Sequence, residues 1–173
     1  MLQMTDCIRQ FGRPVVSPGD AACEPLVVIR QVLALARDLA TQRDVRLAYE
    51  GPDELPPARI AGVELTQILL NLCINATQAI ELAGRPGRAV LTGVASASHV
   101  ELALTDDGVG MTPEALRKAG TPFYTTRAEG SGLGLAQCYR LVGRADGTLT
   151  IRSTEGLGTA VAIRLPRAAA SGP

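Results

Sequence analysis

The sequence predicts a two-layer α/β sandwich, in which one mixed, mostly antiparallel sheet is covered on one face by helices. Three observations lead there. Apolar residues recur at three-and-four spacing in separate stretches, as they do on amphipathic helices. Short β-rich runs come in pairs joined by turn residues, as in hairpins. The helical stretches lie between those pairs, so helices and strands share one core.

Each element has its own signal. Leu26, Ile29, Val32, Leu33, Ala36, Leu39 and Ala40 give a helix over residues 24–43. Residues 45–49 alternate as a strand, 51–57 read as a turn, and 58–61 suggest a short second strand. A helix over 63–83 ends at Gly84, and 88–95 with 99–105 form a hairpin. Residues 106–131, rich in Gly, Thr and Pro, exceed the usual connection, which marks a functional segment or a missed element. A third helix is expected over 132–142, and 148–153 with 159–165 close the domain as another hairpin. Residues 1–20 read as a helix end followed by a linker, residues 21–166 as the domain, and 167–173 as a disordered tail.

Composition narrows the function. Of 173 residues, 46% are hydrophobic, enough for a sizeable core. Lys plus Arg and Asp plus Glu are 17 each, so no net charge points to nucleic acid. Aromatics are 3% with no Trp, which argues against a base-stacking platform. Cys7, Cys23, Cys73 and Cys138 form no C-x-x-C pair, and His99 is the single histidine, so neither a zinc site nor a disulfide framework is expected. The sequence lacks an apolar run of about 18 residues or a signal-peptide pattern, so the expected location is cytoplasmic, without direct membrane contact, and a piece of a membrane-anchored receptor would read the same.

The second helix carries a polar stripe. Glu64, Gln67, Asn71, Asn75 and Gln78 fall within an arc of roughly 80° on the wheel. A solvated face normally favours Glu, Lys and Arg, whereas this one holds two asparagines, which are poor helix formers. Amides one turn apart can converge oxygens on a hard cation or on phosphate-bound water. Two glycine-rich segments follow. Asp106-Asp-Gly-Val-Gly110 ends an apolar strand, where a carboxylate can accept from an exocyclic amine and glycines admit close backbone approach. Gly130-Ser-Gly-Leu-Gly-Leu135 opens the third helix, whose N–H groups can hold an anion. It is no Walker A loop, because no Lys-Ser/Thr follows, and it begins a helix after a long loop rather than after a strand.

Taken in order, these segments resemble the Bergerat ATP-binding fold shared by histidine kinases, type II topoisomerases, heat-shock-90 chaperones and mismatch-repair ATPases. Asn71-Leu-Cys-Ile-Asn75-Ala resembles the asparagine box and Asp106-Asp-Gly-Val-Gly110 the first glycine box. Pro122-Phe-Tyr-Thr-Thr-Arg127 resembles the phenylalanine box of histidine kinases, Gly130–Leu135 the second glycine box, and Gly158-Thr159 the closing motif. The resemblance covers residues 24–166. It implies that Asn75 coordinates Mg²⁺ on the phosphates of ATP, with Asn71 helping one turn away. Asp106 is then the reader of the adenine amine, Thr159 supports it through a water, and Gly108 and Gly110 let the base lie close. The amides of Gly132 and Gly134 hold phosphates under a mobile lid over residues 111–131, and Arg127 contacts phosphate, where the family often carries Lys. Thr125, Thr126, Gly130, Leu133 and Leu135, within the same boxes, complete the expected nucleotide-binding set.

Among the branches, the hydrolysing ones resemble one another in a Glu one turn before the metal-binding Asn. Here that position is Asn71, which cannot act as a general base. The resemblance therefore implies the catalytic half of a two-component sensor histidine kinase. Its partners are a histidine-bearing dimerisation domain, of which residues 1–12 look like the stub, and a response regulator receiver domain. No nucleic-acid partner is implied. His99 lies in a β-run and is read as a strand or turn residue, not the phosphoacceptor. The alternative is an ATPase switch or chaperone module, with Glu64, two turns from Asn71, as its nearest candidate base.

Overall fold

Residues 21–125 and 132–169 are described by the computed structural model. Helix α1, Pro25–Thr41, opens on a proline in its first turn, where the missing N–H costs nothing. It buries Val28, Ile29, Val32, Ala36 and Ala40, the stripe its sequence period requires. Strand β1, Val45–Tyr49, follows, and helix α2, Gly62–Leu82, crosses to strand β2, Gly87–Ala95. A parallel pair needs such a crossover, and β1 and β2 are the parallel pair of the sheet. Strand β3, His99–Asp106, returns antiparallel to β2. Helices α3, Pro113–Lys118, and α4, Gly134–Arg144, precede the closing hairpin of β4, Thr148–Thr154, and β5, Gly158–Pro166.

The sheet order is β1-β2-β3-β5-β4, so β5 inserts between β3 and β4. One face is apolar: Leu91, Val100, Leu102, Leu104, Val161, Ile163 and Leu165 alternate inward and pack against α1, α2 and α4. The mixed sheet with helices over one face is the expected sandwich. Leu65, Ile68, Leu69, Leu72 and Ile80 make α2 the middle helix of the layer that covers the sheet, with α1 on one side of it and α4 on the other.

Three expectations need correction, and one open alternative is decided. Residues 58–61 are no strand: Ala58 makes isolated bridges to Cys23 and Arg167, pinning the chain's entry and exit side by side. The tail starts later than residue 167, because Arg167 N–H donates to the Ser98 carbonyl (2.9 Å) and Ala168 N–H to the Pro57 carbonyl (2.9 Å). The long 106–131 segment does hold a missed element, α3, whose N-cap Thr112 accepts from the Ala115 N–H at 3.1 Å. The third helix starts at Gly134 and not at Gly132, whose φ of +67° lies outside the helical range. The expected dimerisation stub and linker, residues 1–20, and the end of the tail, residues 170–173, lie outside the described residues. Among the described residues, no helix is long and apolar enough to cross a membrane.

The core cysteines carry a measurable consequence. Burial pushes the Cys73 thiol up from 9.0 to about 12 and the Cys138 thiol to about 11. The folded state therefore holds these protons more tightly than the unfolded chain does. Stability is fully present below pH 9 and declines as pH rises toward 11 to 12. Urea midpoints measured across that window should fall, and Cys73→Ala should flatten the decline; an unchanged slope in that variant would contradict the assignment.

Candidate functional site: a nucleotide cavity between α2, α4 and the sheet

A cavity of about 360 Å³ opens between α2, the start of α4, the segment around α3, and strands β3, β5 and β4. That volume is within the range of small-molecule sites. Strand alternation builds its floor, since Leu104 and Asp106 of β3, Ile151 of β4, and Thr159 and Val161 of β5 all point inward. Helix α2 supplies Asn71, Asn75 and Gln78, and the far wall carries Met111, Ala115, Tyr124, Thr125, Gly134 and Leu135.

Asp106 ends β3 with 8% of its surface exposed, and its Oδ1 accepts from the Gly108 N–H at 2.9 Å. Register places it opposite Thr159, whose hydroxyl lies 2.8 Å from Ser153 Oγ. The Ser153 hydroxyl lies 3.0 Å from the Gly158 carbonyl, to which it donates, so a hydroxyl pair is anchored beside the carboxylate. The neighbouring Asp107 has a different task. Its Oδ1 accepts from the Arg88 N–H at 2.9 Å, which ties the loop to the start of β2.

The first-box glycines are set by protein packing. A Cβ on Gly108 would lie 2.6 Å from the Ala79 carbonyl carbon of α2, where Val109 N–H donates to the same carbonyl group at 3.0 Å. Gly110 holds φ at +65°, and a Cβ there would collide with the Thr154 carbonyl. The loop thus lies flat between α2 and the β4–β5 turn, and Gly110, unlike Gly108, also lines the cavity.

The polar stripe divides along its length. Asn71, Asn75 and Gln78 reach the cavity, while Glu64 lies beyond it and pairs with Arg144 of α4 at 3.5 Å. Gln67 does not line the cavity either. Asn71 Nδ2 donates to the Gly134 carbonyl at 3.3 Å and lies 3.8 Å from Cys138 Sγ, so the asparagine box touches the first turn of α4. Gly132 and Gly134 both line the cavity at that helix end, and Phe123 N–H donates to the Gly132 carbonyl at 3.2 Å. The phenylalanine box and second glycine box are therefore in direct contact. Leu133 sits at the cap of α4, 42% exposed and outside the cavity lining. Thr126, Arg127 and Gly130 lie outside the described residues. His99 is the first residue of β3, with its Nδ1 2.7 Å from Ser98 Oγ, on the face away from the core.

Several cavity residues carried no polar signal in the sequence. Ile74, Ala79, Leu82, Met111, Ala119 and Tyr124 supply apolar wall, which suits the faces of a flat aromatic ring. On α2, Leu82 falls within the arc of the polar stripe and Ile74 just beyond it on the side away from the core, so helical phase alone could have found them.

Comparison with known proteins agrees with this geometry. Residues 61–169 match the family described as histidine kinase-, DNA gyrase B-, and HSP90-like ATPase. The chain is 37% identical over 139 residues to sensor histidine kinase ZraS of Escherichia coli K12, covering 80% of this chain and 29% of that protein. The full-length structure of ShkA in complex with AMPPNP superposes with a TM-score of 0.77 at 27% identity, over 96% of this chain and 35% of that one. The mycobacterial sensor histidine kinase MprB gives a TM-score of 0.71 at 25% identity, over 84% of this chain and 97% of that one. The chain thus spans less than a third of ZraS. The matched residues run from the start of α2 through the end of β5, and so contain most of the cavity's walls. On that match, the chain belongs to the histidine kinase-, DNA gyrase B- and HSP90-like ATPase family, whose domains use nucleotide.

Proposed function

We propose that this domain is the catalytic half of a sensor histidine kinase. It holds Mg²⁺-ATP in the cavity and delivers the γ-phosphoryl group to a histidine on a dimerisation hairpin, for onward transfer to a response regulator. One observation carries the choice of transfer over hydrolysis. Among the described residues lining the cavity, Asp106 is the sole carboxylate, and it sits at the strand end, bound to the Gly108 N–H. Asn71 stands where a water-activating base would, and a neutral amide donating to the Gly134 carbonyl takes no proton. Glu64, the fallback base, is engaged with Arg144 away from the cavity.

The roles follow from chemistry. The Asp106 carboxylate accepts a hydrogen bond from the adenine amine, with the Ser153–Thr159 hydroxyl pair beside it. Apolar wall from Leu104, Ile151 and Val161 covers the base. The helix α4 N-terminus, with Gly132 and Gly134, faces the phosphates; Arg127, outside the described residues, is assigned to them on the resemblance alone. The donor set also fits a magnesium ion. Asn75 offers one neutral amide oxygen, and a small hard cation prefers to keep phosphate oxygens and waters for the rest of its shell. When bound, the ion neutralises phosphate charge; the protein's own contribution is to position the nucleotide for in-line transfer and to exclude a base for water.

Alone with γ-labelled ATP, the chain should release phosphate only slowly, and Glu64→Gln should leave that rate unchanged. Rapid, multiple-turnover phosphate release that disappears in Glu64→Gln would place the chain among the ATPases instead.

A further inference from the structure

The face of the sheet opposite the helices holds a second concavity, of about 360 Å³, behind the nucleotide cavity. Its floor is made of small side chains, Ala160 and Ala162 of β5 with Thr148 and Thr150 of β4. Arg152 rises at one end, paired in register with Ala160, and Arg164 at the other, flanked in register by Thr148 of β4 and by Glu101 of β3, which also lines the groove. Four residues of strand separate the two ends, which is about 13 Å.

An open antiparallel face is ordinarily covered by long polar side chains that neutralise one another across strands. This one does not follow that pattern. Arg152 makes no ion pair among the described residues, and Arg164 Nη2 lies 3.2 Å from His99 Nδ1 rather than against a carboxylate. The same face of β1 and β2 carries Arg46 and Arg88, of which Arg88 pairs with Glu50 at 3.1 Å. The groove itself holds two arginines and one acid, Glu101, a local excess of one positive charge on a chain whose formal net charge is zero. A floor of methyl and hydroxyl groups between two guanidinium groups admits a peptide backbone closely, and guanidinium forks match carboxylates.

We propose that this groove docks an acidic, extended polypeptide segment of a partner, with carboxylates about four residues apart reaching Arg152 and Arg164. The segment lies across β4 and β5, on the reverse of the strands that carry Ile151, Thr159 and Val161 into the nucleotide cavity. The surface does not depend on the kinase reading, since none of its residues lines the nucleotide cavity.

The probe is a fluorescent decapeptide of alternating Glu and Thr, titrated by anisotropy into the full 173-residue chain at low and at physiological salt. Saturable binding is expected, weakening as salt rises. It should be at least tenfold weaker in Arg152→Glu/Arg164→Glu and unchanged in Arg30→Glu, an exposed position on α1 in the other layer. If the double reversal fails to give the native thermal transition, Arg152→Gln and Arg164→Gln singly should each weaken binding several-fold. Absence of binding at low salt, or equal binding by the arginine variants, overturns the proposal. A ten-nucleotide deoxythymidine strand that binds more tightly than the peptide through the same arginines overturns it too, by making the groove a nucleic-acid surface.

Discussion

Asn75→Ala is expected to lower phosphoryl transfer by about 10²-fold or more, with most of the loss appearing only when Mg²⁺ is present. Asn75 lines the cavity one turn from Asn71, so its truncation removes an amide oxygen from the place proposed for the cation. A metal-neutralised transition state is worth several kcal/mol, and about 3 kcal/mol corresponds to roughly 10²-fold. Alanine is the best helix former, so α2 itself should not be weakened by the change. Calorimetry with and without EDTA separates the two effects. Mg²⁺-ATP should bind more weakly, while metal-free nucleotide should bind about as before. Asn75→Asp keeps an oxygen donor but sets a negative charge beside the phosphates, so binding should be retained in part with altered transfer. If Asn75→Ala left Mg²⁺-ATP affinity and transfer intact, the stripe on α2 would be merely a polar wall.

Asp106→Asn should weaken ATP and ADP alike, by about 10- to 100-fold, because a hydrogen bond to a charged group is worth about 1.5–3 kcal/mol. The substitution keeps the shape, and its carbonyl oxygen can still accept from the Gly108 N–H that Asp106 Oδ1 now engages at 2.9 Å. The amide NH₂ would then oppose the adenine amine, donor against donor. The unmodified chain should bind GTP poorly, since the guanine keto oxygen meets a carboxylate. In the variant that discrimination should narrow. Equal affinity of the unmodified chain for ATP and GTP would remove Asp106 from base recognition.

Much of this site was legible from chemistry that repeats in one dimension. The α2 stripe was visible because helical phase brings Asn71, Asn75 and Gln78 to one side, and all three reach the cavity. Asp106 was visible because a charged residue ending an apolar strand needs a reason to be there. Long-range matters were less readable. Glu64 shares the phase of the asparagines but stands far enough along α2 to meet Arg144, 80 positions later in the chain. Gly108 and Gly110 were read as room for a ligand, whereas Gly108 is required by the Ala79 carbonyl and Gly110 by the Thr154 carbonyl, contacts that exist only after folding. Helix α3 was hidden by its six residues, too few to show a period, although Thr112-Pro113-Glu114 is a helix-start signal in plain view. The supposed strand near Ala58 failed for another reason: its pairing is confined to two isolated bridges, with Cys23 ahead of α1 and Arg167 after β5.

The central claim is that this domain moves phosphate to histidine rather than to water. The most direct measurement mixes the chain, in trans, with the histidine-bearing dimerisation hairpin proposed as its partner and γ-labelled ATP. The account predicts label on the hairpin, none on the chain itself, stable in alkali and lost in acid as a phosphoramidate is, and abolished by Asn75→Ala. Brisk phosphate release with no label on the hairpin would contradict it.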